Sequence, residues 1–238
     1  MEKLNEAIFP IITFNPENKI WNCLGTGYFI NPVGGFATAR HLFFHEDKQV
    51  EQTLYGVHLV NNEEFHIRPV YQLVSDPTSD IMIGRLGERR LKGGENLPAM
   101  QSEYFALDFE LLSKGDDIMT YAFPKTTREV LESGETEFSF EGRLERGKIV
   151  DLHNNGTSQV KNRCYQTTMN MESGASGGPV LKDGYIVGIN SSSFELPEGE
   201  EPISFITPID YILGLKVESK GKLVPVAQLI KSGFIKTK

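Results

Sequence analysis

The chain is cut at short intervals by turn residues, and few of the pieces between the cuts have the length or period of a buried helix. Residues 21–30 form an apolar-rich run that stops at Asn31-Pro32-Val33-Gly34-Gly35, and 36–39 follow as a short buried segment. Similar runs occupy 54–60, 65–73, 81–86, 117–123, 138–150, 164–168, 180–181, 185–190 and 203–207. Strands at this spacing, with frequent glycine turns, predict an all-β sandwich or barrel. Helical patterns are confined to 210–215 after Pro208 and to 225–232, which Gly233 stops. The run from Ala7 to Phe14 is short and interrupted by Pro10, so it reads neither as a signal peptide nor as a membrane span.

The chain has 238 residues, of which 39% are apolar and 24% charged, enough to bury a core. Residues 87–103, with Gly93-Gly94 and Pro98, carry the weakest pattern and serve as the candidate linker. The division expected is an N-terminal unit 1–100, a C-terminal unit 101–215 and a basic tail 216–238. Residues 195–202 form an acidic loop. The tail holds six lysines and one acid, whereas 1–215 carry 18 basic and 31 acidic residues. It reads either as a solvated segment packed on an acidic domain or as a docking segment for another protein. A net charge of −8 argues against nucleic acid as a partner, and no membrane association is expected. Two cysteines, Cys23 and Cys164, cannot build a disulfide framework; read as reduced thiols, they place the protein in the cytoplasm.

The chemistry is concentrated in Glu172-Ser173-Gly174-Ala175-Ser176-Gly177-Gly178-Pro179-Val180. Glycines around a serine allow a sharp turn, close approach of substrate, and successive N–H groups aimed at one point. The pattern matches G-x-S-x-G, but an α/β-hydrolase places its histidine after the serine. Here all five histidines (His41, His45, His58, His66 and His153) precede Ser176, which excludes that class. The order His, Asp, Ser is left. In Thr38-Ala39-Arg40-His41 the histidine follows the small-residue strand 36–39, and Asp80 stands at the mouth of the run Ile81-Met82-Ile83.

Taken together, Gly25-Thr26-Gly27-Tyr28-Phe29-Ile30, Ala37-Thr38-Ala39-Arg40-His41, Asp80-Ile81-Met82-Ile83, Gly174-Ala175-Ser176-Gly177-Gly178-Pro179-Val180 and Val187-Gly188-Ile189-Asn190-Ser191 resemble the trypsin/chymotrypsin-like serine proteases, in particular HtrA-type bacterial peptidase domains. The resemblance implies two six-stranded antiparallel β-barrels with a short C-terminal helix or helices, His41 and Asp80 on the first barrel and Ser176 on the second. It implies a serine endopeptidase acting on protein or peptide substrates through an acyl-enzyme. Ser176 is then the nucleophile, His41 the base and Asp80 its orienting acid, with the N–H groups of Gly174 and Ser176 as the oxyanion hole. Ser191 is similar to the family's serine that supports the acid, and Ser191, Ser192 and Ser193 to its substrate-pairing strand. Asn170 and Met171 fall where the family places the base of the specificity pocket, and the absence of Asp there does not indicate a Lys or Arg preference.

Three alternatives stand beside these assignments: Asp76 as the acid, Ser173 as the nucleophile, and a catalytically silent protease fold used for binding. His41, His45 and Glu46 lack the spacing of a zinc protease, so no metal and no cofactor are expected. Ala175 stands where secreted members carry the Asp that receives a new N-terminus, no Ile-Val-Gly-Gly start is present, and Leu42 replaces a family cysteine. Control by a regulatory protein partner is the corresponding expectation. With 23 residues after Leu215, no PDZ-like second domain is expected.

Overall fold

The structure, a computed structural model, describes residues 2–15, 17, 20–45, 48–49, 52–60, 64–88, 102–133, 136–194, 200, 202–219 and 221–238. Residues 89–101 of the candidate linker, residues 195–199 and 201 of the acidic loop, and Glu46 lie outside the described residues.

After a short helix α1 (Glu2–Ala7), the first barrel is made from β1 (Ile8–Asn15), β2 (Ile20–Phe29), β3 (Gly35–Ala39), β6 (Thr53–Val60), β7 (Glu64–Ser75) and β8 (Ile81–Leu86). It closes antiparallel in the order β1-β2-β3-β8-β7-β6. Between β3 and β6 lie a 3-10 turn (Arg40–Leu42) and a small ribbon of β4 (Phe44–His45) and β5 (Lys48–Gln49). The second barrel contains β9 (Asp117–Val130), β10 (Thr136–His153), β11 (Cys164–Thr167), β12 (Pro179–Lys182), β13 (Tyr185–Phe194) and β14 (Ile203–Pro208). Its closing order is β10-β11-β14-β13-β12-β9. A 3-10 turn (Ile209–Gly214), a hairpin of β15 (Lys216–Ser219) and β16 (Lys222–Pro225), and helix α2 (Val226–Lys231) follow.

The sequence pattern missed β1 because of Pro10. In the fold, Pro10 pairs with Thr26, whose N–H and C=O are both engaged elsewhere, by Ser176 and Thr38. Pairing of β1 with β6 begins only at Ile11. The proline's missing N–H therefore deprives no ladder acceptor.

Each barrel has its own core, and a third apolar cluster forms the seam between them. Phe9, Phe29, Phe36, Phe43 and Met82 fill the first barrel, with Phe9 4.8 Å from Phe29 and 5.5 Å from Phe36. Ile118, Ile149, Met169, Val187 and Ile206 fill the second. At the seam, Tyr28, Ala37, Ala39, Ile81 and Ile83 pack in one cluster with Tyr121, Phe123, Leu181 and Ile189. Strands β3 and β8 are thus apolar on both faces, which is why they read as unbroken hydrophobic runs rather than alternating ones.

The lysine-rich tail packs on its own chain. Val226 and Ile235 are buried, and Leu107 is bridged in parallel by both Ile186 and Thr237. Lys238 donates its N–H to the Leu107 carbonyl at 2.9 Å and its Nζ to Asp108 and Glu110 at 3.0 and 3.2 Å.

Cys23 on β2 and Cys164 on β11 are both unbonded. Burial pushes the Cys23 thiol up despite hydrogen bonds that oppose the shift, and raises Cys164 to about 11. The native protein should therefore react slowly with a thiol reagent at neutral pH. Denatured without reductant, it should release two thiols; a count of zero would contradict both the structure and a reducing compartment.

Candidate active site

The register of two paired strands sets two of the sequence-predicted residues side by side. Ala39 at the end of β3 lies opposite Ile81 at the start of β8. His41 follows that end by two residues, and Asp80 precedes that start by one. The His41 N–H donates to Asp80 Oδ1 at 2.9 Å, and Nδ1–H donates to the same carboxylate, 2.9 Å from Oδ2 and 3.1 Å from Oδ1. The Arg40 N–H meets the Asp80 carbonyl at 3.3 Å. With Nδ1 so engaged, Nε2 carries the free lone pair of the neutral ring. Burial of the ring draws the His41 pKa down, but the hydrogen bond and charge of Asp80 outweigh it and leave it above the ordinary value.

Ser176 comes from the second barrel, on the turn that enters β12. Ala175 N–H donates to Glu172 carbonyl at 3.0 Å and Gly174 has φ +91°, the positive angle that a type II turn needs at its third residue. Gly177 has φ +81°, and a Cβ there would lie 2.1 Å from Thr38 Oγ1 and 2.4 Å from the Thr26 carbonyl oxygen. No other residue fits that position.

The turn is tied to both barrels. Thr26, fully buried on β2, donates its N–H to the Ser176 carbonyl at 2.9 Å and its hydroxyl to the Gly174 carbonyl at 2.9 Å. The same hydroxyl accepts the Phe123 N–H at 3.2 Å. On the second barrel, Asn190 Nδ2 donates to the Ala175 carbonyl at 3.1 Å and to Thr120 Oγ1 at 2.8 Å. Arg143 pairs with Glu145 and, at 2.6 Å, with Glu172. Ala175 itself carries no carboxylate; neutral hydrogen bonds and this ion pair, about one-third exposed, hold the turn in place. Among the described residues, the N–H groups of Gly174 and Ser176 donate to no protein acceptor.

His41, Asp80, Ser176, Ser191, Ser192 and Ser193 line one open cleft of about 410 Å³. Asn170 and Met171 do not line it. Met171 is buried in the second core, and both residues border a recess of about 10 Å³ beside Ala175, too small for a side chain. Ser191 Oγ pairs with Thr207 Oγ1 at 2.8 Å, so its hydroxyl faces Thr207 where the resemblance implied the acid. Asp80 instead gives its N–H to Asn162 Oδ1 at 3.0 Å.

The rival residues have other occupations. Asp76 is held by the N–H and hydroxyl of Thr78, which keep its carboxyl below the usual range. Ser173 is exposed within the turn. His58 is buried against Arg68 at 3.1 Å, and His153 faces Gln166 at 3.2 Å. Thr26 and Asn190 belong to the motifs recognised in sequence but carried no role there; Asn162 and Thr207 had no sequence signal.

Comparison with known proteins bears on the same region. A family model described as the trypsin-like peptidase domain matches residues 25–189. A probable periplasmic serine endoprotease, DegP-like, from Pseudomonas putida is 24% identical over 198 residues, 83% of this chain and 35% of the relative. The chain thus spans about a third of that relative's length. The crystal structure of Deg5 superposes with a TM-score of 0.63 at 17% identity, covering 90% of this chain and 88% of that one. The HtrA-type protease AlgW, solved with a decapeptide, gives 0.57 at 16%, covering 87% and 62%. At such identities the two structures show the shared fold.

The raised His41 pKa has a measurable signature. The His41 ring should titrate above about 6.5 by NMR, and Asp80→Asn should lower its midpoint. The pair contributes stability in full below about pH 6.5 and loses it as pH rises through the folded value. A midpoint unmoved by Asp80→Asn would contradict the contact.

Proposed function

We propose a serine endopeptidase: the chain belongs to the trypsin-like peptidase domain family, and His41, Asp80 and Ser176 line one cleft. The observation that carries the reading is the hydrogen bond from His41 Nδ1 to the Asp80 carboxylate, in a cleft shared with Ser176.

In this reading Ser176 Oγ attacks the peptide carbonyl while His41 Nε2 takes its proton and delivers it to the leaving amine. Asp80 fixes the tautomer that leaves Nε2 basic and stabilises the imidazolium formed on transfer. The ester left on Ser176 is then hydrolysed by water, activated by the same histidine. The N–H groups of Gly174 and Ser176 receive the oxyanion; one such donor is worth about 3–4 kcal/mol in the transition state. Ser191, Ser192 and Ser193 supply the edge along which a substrate strand pairs. The two acids that border the small recess beside Asn170 and Met171, Glu145 and Glu172, are both paired with Arg143, which supports no preference for Lys or Arg at the cleaved bond.

A regulatory partner would act on the turn at 172–175, where no buried ammonium–carboxylate pair fixes the backbone. The cytoplasmic location rests on the two unbonded thiols, although the curated relatives carry periplasmic names.

A fluorophosphonate probe should label the wild-type protein and not Ser176→Ala. Ser176→Ala and His41→Ala should each reduce peptide cleavage to a trace, and the double variant should fall little further, since both remove the same step. Cleavage persisting in Ser176→Ala would refute the assignment. A well-folded wild type that neither cleaves nor labels would favour a silent binding module.

A further inference from the structure

We infer that Asn162 is a positioning residue for Asp80, acting from the opposite barrel; the inference rests on the endopeptidase reading above. Asn162 lies in the connection between β10 and β11, 82 residues from Asp80 in sequence, and is only 7% exposed. Its Oδ1 accepts the Asp80 N–H at 3.0 Å. Its Nδ2 donates to the Arg163 carbonyl at 2.8 Å and to Thr207 Oγ1 at 3.1 Å.

These partners dictate the orientation of the amide. One end meets an N–H and the other a carbonyl, so a flipped amide would set donor against donor and acceptor against acceptor. An apolar replacement would leave the Asp80 N–H unpaired inside the protein. A carboxylate could keep the Asp80 contact but would face the Arg163 carbonyl with a second acceptor.

Among the described residues, the other bonds to Asp80 come from the Arg40–His41 turn, through the His41 N–H, His41 Nδ1 and the Arg40 N–H. Acid and base therefore move as one unit belonging to the first barrel. Asn162 ties that unit to the wall of the cleft that belongs to the second barrel, the barrel that also carries Ser176. Thr207 extends the tie to Ser191 Oγ at 2.8 Å, the first of the serines along the cleft. Placement of His41 relative to Ser176 thus depends on an amide that touches neither, and displacement by a fraction of an ångström degrades proton transfer more than it degrades binding.

The test is steady-state kinetics on a peptide substrate with Asn162→Ala, Asn162→Asp, Thr207→Val and Thr207→Ser. Asn162→Ala should lower kcat at least 10-fold with KM changed less than about 3-fold. Thr207→Val should lose part of kcat, and Thr207→Ser, which keeps the hydroxyl, should restore it. The charged groups lining the cleft with His41 are Asp80, Arg40 and Lys161, with Asp76 facing Arg40. Asn162→Asp adds a negative charge to this set and should move the rising limb of the pH–kcat/KM profile to higher pH, since imidazolium is then favoured. Should Asn162→Ala not fold, the pH profile of Asn162→Asp carries the test. Titration with a fluorophosphonate separates loss of rate per site from loss of folded sites. An active wild type with Asn162→Ala or Asn162→Asp indistinguishable from it, or with rate lost only through fewer competent sites, overturns the inference and leaves the endopeptidase reading standing. A wild type inactive towards peptide and probe overturns that reading and the inference with it.

Discussion

The candidate site depends on one buried hydroxyl group. Thr26 stands on the first barrel, yet its side chain accepts from Phe123 and donates to Gly174, both on the second, and its N–H holds the Ser176 carbonyl. An open cleft between two closed barrels has no covalent reason to keep its geometry. Buried hydrogen bonds across the seam supply that reason, because an unpaired buried donor or acceptor costs about 1–3 kcal/mol and sliding the barrels apart would strand several at once. The tight fit of Gly177 against Thr38 and the Thr26 carbonyl fixes the turn from the same side.

Residues 172–175 are held by two contacts of different kind. The turn draws on Asn190, whose amide reaches the Ala175 carbonyl and Thr120, and on Arg143, which reaches Glu172. The first of these is buried and neutral, so it answers little to salt or pH. The second is about one-third exposed on both partners, and exposed ion pairs contribute about 0–1 kcal/mol. The buried amide carries more of the restraint than the more conspicuous charge pair.

What could be read from the sequence follows from what is local. His41 and Asp80 announce themselves because each abuts an apolar run that becomes a paired strand, and the glycines around Ser176 are demanded by φ values and close contacts within a few residues. The short 3-10 turn at Ile209–Gly214 and the helix at Val226–Lys231 also show locally, through Pro208 and Gly233. β1 was hidden, since a proline in a strand is harmless only when its partner's polar groups point elsewhere, a fact of three-dimensional pairing. Asn162, Thr207 and the hydroxyl of Thr26 were hidden for a related reason: each has a partner 45 or more residues away, up to 148 for Thr26 and Gly174. Ser191 shows the limit of carrying a role by resemblance, since its hydroxyl has a nearer partner in Thr207.

The seam of Tyr28, Ala37, Ile81, Phe123 and Ile189 is hydrocarbon, whereas the bond between His41 and Asp80 is polar and lies within one barrel. Apolar burial weakens on cooling, at the seam and in both barrel cores alike, whereas hydrogen bonds do not depend on temperature in the same way. In the cold, the bonds of Thr26 across the seam and of His41 to Asp80 within one barrel therefore carry a larger share of what keeps acid, base and serine in register.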